Sequence, residues 1–228
     1  MNIEENIRQI RERIKRAAEK CGRDPEKIKL IAVTKGVPLE KIEDAIKRGL
    51  TTFGENYIQE AIKKIEGIKD KIEWHFIGHL QTNKAKYAVG KFELIHSVDS
   101  IKLAAEIDKV SKRLNLVQKI LIQVNTSGEN TKSGVETNKA LDLIKAVSQL
   151  DNIKLLGLMT MPPYFENPLY SGEYFKGLRK IRDIAKESGV EPSGMTELSM
   201  GMSNDFEIAV EEGATMLRIG TLIFGPRE

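Results

Sequence analysis

Cysteine is almost missing from this chain. Cys21 stands alone, which excludes an internal disulfide framework and any multi-cysteine metal cage. On the N-terminal helix and away from the strand ends, it reads as a small packing residue. No run of about 18 apolar residues occurs, so no membrane-spanning helix is expected. The first twenty residues are rich in Glu, Arg and Lys and lack both an apolar core and a small-residue cleavage site. No signal peptide is therefore expected, and the expected compartment is the cytoplasm. Neither charge sign dominates: 36 Lys and Arg face 33 Asp and Glu, a formal net charge of +3, which argues against nucleic acid as a main partner. No Walker-type phosphate loop is present, which disfavours nucleotide hydrolysis. Gln is sparse beside abundant Lys and Glu, a tilt toward a thermophilic source that a solvated charged surface explains almost as well.

What is present is a globular composition, 40% apolar and 30% charged over 228 residues. Ile3, Ile7, Ile10 and Ile14 lie on one face of an amphipathic helix that Gly22 ends. Apolar, β-branched runs then alternate with helical periodicity. Strands are expected at 28–33, 50–53, 72–77, 92–97, 117–124, 153–159, 197–199 and 215–219. Helices fill the gaps, with Asn56 and Asn204 as expected N-caps. Eight strands separated by seven helices predict a closed (β/α)8 barrel of the TIM type with an extra N-terminal helix; an open doubly wound sheet is the alternative. Only nine residues, 220–228, follow the eighth strand, too few for a full outer helix. The N-terminal helix is expected to fill that place in the ring. No linker or low-complexity tract divides the chain, so 1–228 reads as one domain.

Chemistry in such barrels sits at the C-terminal ends of the strands. The first strand ends at Val33-Thr34-Lys35-Gly36. A lysine there is partly desolvated, which disfavours its ammonium form and makes Lys35 a candidate for a Schiff base with a carbonyl. The seventh strand runs into Ser199-Met200-Gly201-Met202-Ser203 and a helix start, and the eighth into Arg218-Ile219-Gly220-Thr221. These are the two places where such barrels commonly hold phosphate. An aldehyde that carries a phosphate suits both features; pyridoxal phosphate and sugar phosphates qualify. His75 and His79, four apart, fall on a strand rather than a helix, so no metal site is expected. Asn56, after the second strand, serves either as a ligand contact or as a helix cap. The polar loop Asn130–Gly134 reads as a phosphate contact, a lid or a solvated turn.

Several runs resemble the pyridoxal-phosphate homeostasis protein family. They are Ala32-Val33-Thr34-Lys35, Phe53-Gly54-Glu55-Asn56-Tyr57, the stretch from Trp74 to Lys84, His96-Ser97-Val98-Asp99, Leu198 to Ser203 and Arg218-Ile219-Gly220. The resemblance implies a barrel similar to the N-terminal domain of alanine racemases. It implies pyridoxal phosphate as a Schiff base on Lys35. It places the phosphate on Ser199 to Ser203 with the Gly220-Thr221 backbone, and Arg218 at the pyridine nitrogen. It implies a protein of the intracellular pyridoxal phosphate pool, with no catalytic residue and with apo-enzymes as possible recipients. A cationic Arg218 at the ring nitrogen disfavours its protonation and weakens the ring as an electron sink. The C-terminal β domain that supplies a racemase's second acid–base group is expected to be lacking. The competing readings are a stand-alone pyridoxal-phosphate racemase or lyase and a Schiff-base aldolase on sugar phosphates.

Overall fold

The computed structural model describes residues 2–129, 132–189 and 194–226. Helix α1 spans Ile3–Lys20, and the strands are β1 (Lys29–Val33), β2 (Thr52–Glu55), β3 (Glu73–Phe76), β4 (Leu94–Val98) and β5 (Gln118–Asn125). A two-residue β6 (Val135–Glu136) precedes β7 (Ile153–Met159), β8 (Glu197–Ser199) and β9 (Met216–Ile219). The sheet order is β4-β3-β2-β1-β9-β8-β7-β5, and a further β4–β5 pairing closes it into an eight-stranded parallel barrel. Closure decides between the two expected folds in favour of the barrel. The unexpected β6 lies outside the ring, paired in parallel with β5 through Val124↔Val135.

The helices α2 (Leu39–Lys47), α3 (Ile58–Gly67), α4 (Ala85–Ala88), α5 (Ile101–Arg113), α6 (Ala140–Val147), α7 (Gly172–Glu187), α8 (Phe206–Glu211) and α9 (Thr221–Phe224) surround the strands. Side chains alternate across each strand. Ile31, Leu94, Leu121, Met159 and Met216 meet inside the barrel. Ala32, Phe53, Trp74 and Phe76 face outward into the large core shared with the helices. Phe53 packs on Trp74 with ring centroids 5.6 Å apart. The tight run after β3 has a steric reason. A Cβ on Gly78 would lie 2.2 Å from the Asn56 carbonyl oxygen, so only glycine lets the two chain segments cross.

The N-terminal helix does occupy the open place in the ring. Its buried face of Ile3, Ile7, Ile10 and Ile14 packs against α8, α9 and α2. Each isoleucine removed from water contributes about 1.5–3 kcal/mol. Polar latches fix the seating: Asn6 Nδ2 donates to Ile223 O at 2.9 Å and Arg13 pairs with Glu207 at 2.7 Å. Arg23 donates to Val210 O at 2.6 Å and Ala214 O at 2.7 Å.

Three local expectations need correction. Cys21 is not a packing residue; it is exposed at the C-cap of α1, its Sγ against Ala17 O. Asn204 does not cap α8. Asp205 holds that position, and Asn204 Nδ2 instead donates to Phe165 O at 2.8 Å. Asn56 does not cap α3, whose N-cap is Tyr57 with no side-chain hydrogen bond. Of the polar loop 130–134, Asn130 and Thr131 lie outside the described residues. Its end is stitched to β5, where Gln123 Nε2 donates to Ser133 O at 3.0 Å. No helix among the described residues is long and apolar enough to cross a membrane.

Candidate functional site

Lys35 follows β1 in a turn closed by Val37 N–H donating to Thr34 O at 2.9 Å. It is half-buried, two residues beyond Val33, the last residue of β1. Helix α3 grips the peptides on both sides of it. Lys64 Nζ donates to Thr34 O at 2.5 Å, and Gly36 N–H donates to Glu60 Oε1 at 2.6 Å. Lys64 also pairs with Glu55 at 2.7 Å and Glu60 at 2.6 Å, while Thr34 Oγ1 donates to Glu55 Oε1 at 2.6 Å. Glu55 is fully buried and Lys64 is 6% exposed. Burial pushes the Glu55 carboxyl upward, opposed by its hydrogen bonds from Lys64 and Thr34. Sequence reasoning missed this clamp. The available signal was a lysine in the apolar stripe of α3, between Ala61 and Ile68.

Arg218, on β9, lies in the upper interior of the barrel and is 3% exposed. Its Nη1 donates to Ser199 Oγ at 2.5 Å and its Nη2 to Thr160 O at 2.8 Å. Among the described residues it makes no salt bridge. Burial pulls the guanidinium down to about 10, with Asp205 acting the other way, so it remains a cation at neutral pH. Ser199 and Thr160 use two of the guanidinium's five N–H donors, which leaves donors for a ligand's acceptor. Below it, Ser199 Oγ lies 2.9 Å from His96 Nδ1, and His96 Nε2 lies 2.9 Å from His75 Nδ1.

The expected phosphate segment divides into three parts. Ser199 is fully buried, and its hydroxyl faces Arg218 rather than the loop. Met200 N–H donates to Met216 O, and Met202 N–H donates to Asp205 Oδ1 at 2.7 Å, so both donors are engaged within the protein. Ser203 is half-buried and Thr221 is exposed at the start of α9, where Gly220 provides no side-chain cap. Gly201 has φ +91°, and a Cβ there would lie 2.5 Å from Ala209 Cβ of α8. Its glycine is demanded by the packing of its own loop. A Cβ on Gly220 would lie 3.2 Å from Val33 O, so the β9 end adjoins the strand that leads to Lys35.

The donor set at this mouth fits pyridoxal phosphate: an amine, a buried cation without a salt bridge among the described residues, and a glycine with hydroxyls at a helix start. Asn56 Oδ1 adds a buried acceptor without a hydrogen-bond partner among the described residues, beside the second strand. His75 and His79 do not converge, since His75 is 1% exposed inside the barrel while the His79 side chain is 56% exposed near Asp99. A cavity of about 850 Å3 lies at the opposite end, on the barrel floor among Lys29, Glu73, His75, Glu93 and Lys119. There the charges are already paired, Lys29 with Glu73 at 2.6 Å and Lys119 with Glu93. The floor's charged side chains are thus engaged in ion pairs, whereas Arg218 near the mouth makes none among the described residues.

Residues 2–228 match the alanine racemase N-terminal domain. The pyridoxal phosphate homeostasis protein of Aquifex aeolicus is 50% identical over 230 residues, covering 100% of both chains. The structure of PipY of Synechococcus elongatus with PLP bound aligns at a TM-score of 0.86 and 33% identity, over 98% of this chain and 100% of that one. An alanine racemase of Clostridium difficile shares the fold at a TM-score of 0.77 and 17% identity, over 97% of this chain and 57% of that one. By fold, extent and identity, this chain belongs to the pyridoxal phosphate homeostasis proteins, within the alanine racemase N-terminal-domain family.

Proposed function

We propose that residues 1–228 work as one barrel domain that binds pyridoxal 5'-phosphate in the cytoplasm and serves its homeostasis. The observation that carries this reading is Arg218, a buried cation without a salt bridge among the described residues, at the mouth where β1 leads to Lys35. PLP, when bound, supplies an aldehyde for bonding to amines and an aromatic ring that accepts electron density. Lys35 holds it covalently, its turn kept in shape by Lys64 and Glu60. Ser203, Gly220 and Thr221 receive the phosphate, and Met200, Gly201 and Met202 shape the loop that presents Ser203. Asn56 contributes its unpartnered carbonyl oxygen. Ser199 orients Arg218, whose N–H groups keep a proton off the ring nitrogen.

That last role favours binding over turnover. No residue is assigned as catalytic, because carbanion chemistry needs a protonated ring as electron sink and a second proton donor. The bound cofactor is passed to apo-enzymes that depend on it. The test is an absorption spectrum of the protein with added PLP, in wild type and Lys35→Ala. A visible band that Lys35→Ala abolishes supports the reading. A wild type that takes up no PLP, or a band that survives in Lys35→Ala, overturns it.

A further inference from the structure

The interior of a (β/α)8 barrel is normally filled by layers of apolar side chains. Here a file of polar groups crosses it, from Arg218 at the mouth through Ser199, His96 and His75 to Glu73 at the floor. The links measure 2.5, 2.9 and 2.9 Å, and His75 Nε2 stands 3.7 Å from Glu73 Oε2. Neither histidine has a place in the reading given above. Ser199, His96 and His75 are each at most 1% exposed.

The direction of every hydrogen in this file follows from its two ends. Arginine has donors only, so Ser199 Oγ accepts from Arg218. Among the described residues that hydroxyl has one other partner, His96 Nδ1, and the serine hydrogen points there. His96 Nδ1 therefore accepts and its hydrogen sits on Nε2, which donates to His75 Nδ1. His75 in turn carries its hydrogen on Nε2, which has no hydrogen-bond partner and faces the Glu73 carboxylate across 3.7 Å. These tautomers are assigned from the network rather than seen as hydrogens. They form one consistent set, running from the cation to the anion.

We propose that His96 and His75 are positioning residues: a one-way hydrogen-bond file that locks Ser199 and, through it, holds the Arg218 guanidinium at the cofactor's ring nitrogen. The assignment of that ring position rests on the functional reading above; the direction of the file does not. Both histidines must be neutral for the file to work. Burial pulls His96 well below the usual histidine range, helped by His75, Arg218 and Lys29. Burial also pulls His75 down; Lys29 acts with it, and Glu73 and Glu93 act against it.

The chain has three histidines, so ¹⁵N histidine spectra of the cofactor-free protein assign readily, with exposed His79 distinguished by its solvent contact. His75 and His96 are expected as neutral Nε2–H tautomers at and above neutral pH. A hydrogen on Nδ1 of His96, or titration of either buried ring in that range, overturns the file. The second arm uses PLP-loaded protein. His96→Leu should weaken PLP binding about five- to tenfold, near the loss of one hydrogen bond, and move the visible band in the same sense as Arg218→Met. His96→Gln can still accept from Ser199 and donate to His75, so it should restore most of both. A band unmoved in His96→Leu, with only a lowered melting temperature, would make the role merely structural. Failure of the wild type to take up PLP would sink the functional reading and leave the tautomer result intact.

Discussion

Lys64→Met removes the cation that holds both Glu55 and the Thr34 carbonyl. The replacement is of similar length and sits in an apolar stripe, so packing changes little. What remains is Glu55, fully buried, with Thr34 Oγ1 at 2.6 Å as its remaining close donor. Removing one partner of a buried ion pair costs about 3–5 kcal/mol. At about 2–4 °C per kcal/mol for a chain of this size, the midpoint should fall by about 6–20 °C. The pH dependence has a definite sign. Burial already raises the folded pKa of Glu55, and loss of Lys64 raises it further. A carboxyl with a raised folded pKa stabilises the fold below the ordinary carboxylate range, and that stability is lost as pH rises through the folded value. The gap between wild type and variant should therefore be wide near pH 8 and narrower near pH 5 (about three pH units apart). The double variant Glu55→Gln with Lys64→Met leaves no buried charge and should recover most of the loss. Thermal melts at the two pH values decide it. A penalty under about 1 kcal/mol that does not change with pH would show that the pair is solvated and the clamp illusory.

Four further outcomes are expected. Borohydride trapping of the PLP-loaded protein, followed by digestion and mass measurement, should place the adduct on the Lys35 peptide; an adduct on another lysine with Lys35 unmodified refutes the anchor. Ser203→Ala should weaken PLP binding by about 0.5–1.5 kcal/mol, or about two- to tenfold, since backbone donors share the phosphate. Gly201→Val should lower the melting temperature as well as the affinity, because its side chain meets Ala209 rather than the ligand alone; an unchanged melting temperature would contradict that account. Amino acids offered to the loaded protein should show no rapid α-proton exchange, whereas an apo-enzyme should be reactivated; rapid exchange abolished by Lys35→Ala would establish an enzyme instead.

The ring of strands and helices was legible because its punctuation is local. Gly22 and Gly49 end helices at positive φ, Pro38 opens one, and the α1 isoleucines repeat at helical spacing. Lys35, Ser203, Arg218 and Gly220 were legible as strand ends and their loops. The interior was not. Strands buried on both faces read as continuous apolar runs, so no alternation reveals which side chains turn inward. His75 and His96 therefore carried no mark of their contact, and Ser199 no mark that it serves Arg218 rather than phosphate. The Asn56 and Asn204 caps failed for a related reason. Asparagine also satisfies tertiary partners, as Asn204 does at Phe165 O, and sequence spacing cannot rank the two uses. The α3 clamp joins residues 34, 36, 55, 60 and 64, a set brought together only once β1 and β2 are paired.

The seating of α1 sets an order of events during synthesis. Its isoleucine face leaves the ribosome well before its principal partners, α8 and α9, which begin at Phe206 and Thr221. Roughly 190 residues separate Ile14 from Phe206, and at about 5–20 residues per second the first helix waits roughly 10–40 s for its berth. Throughout that interval the nascent barrel is an open sheet with an uncovered edge at β1, since β9 is also still missing. The latch that completes the ring is thus the last part of it to form, so a truncation that removes α8 and α9 strips α1 of its berth as well as the barrel of its closing strand.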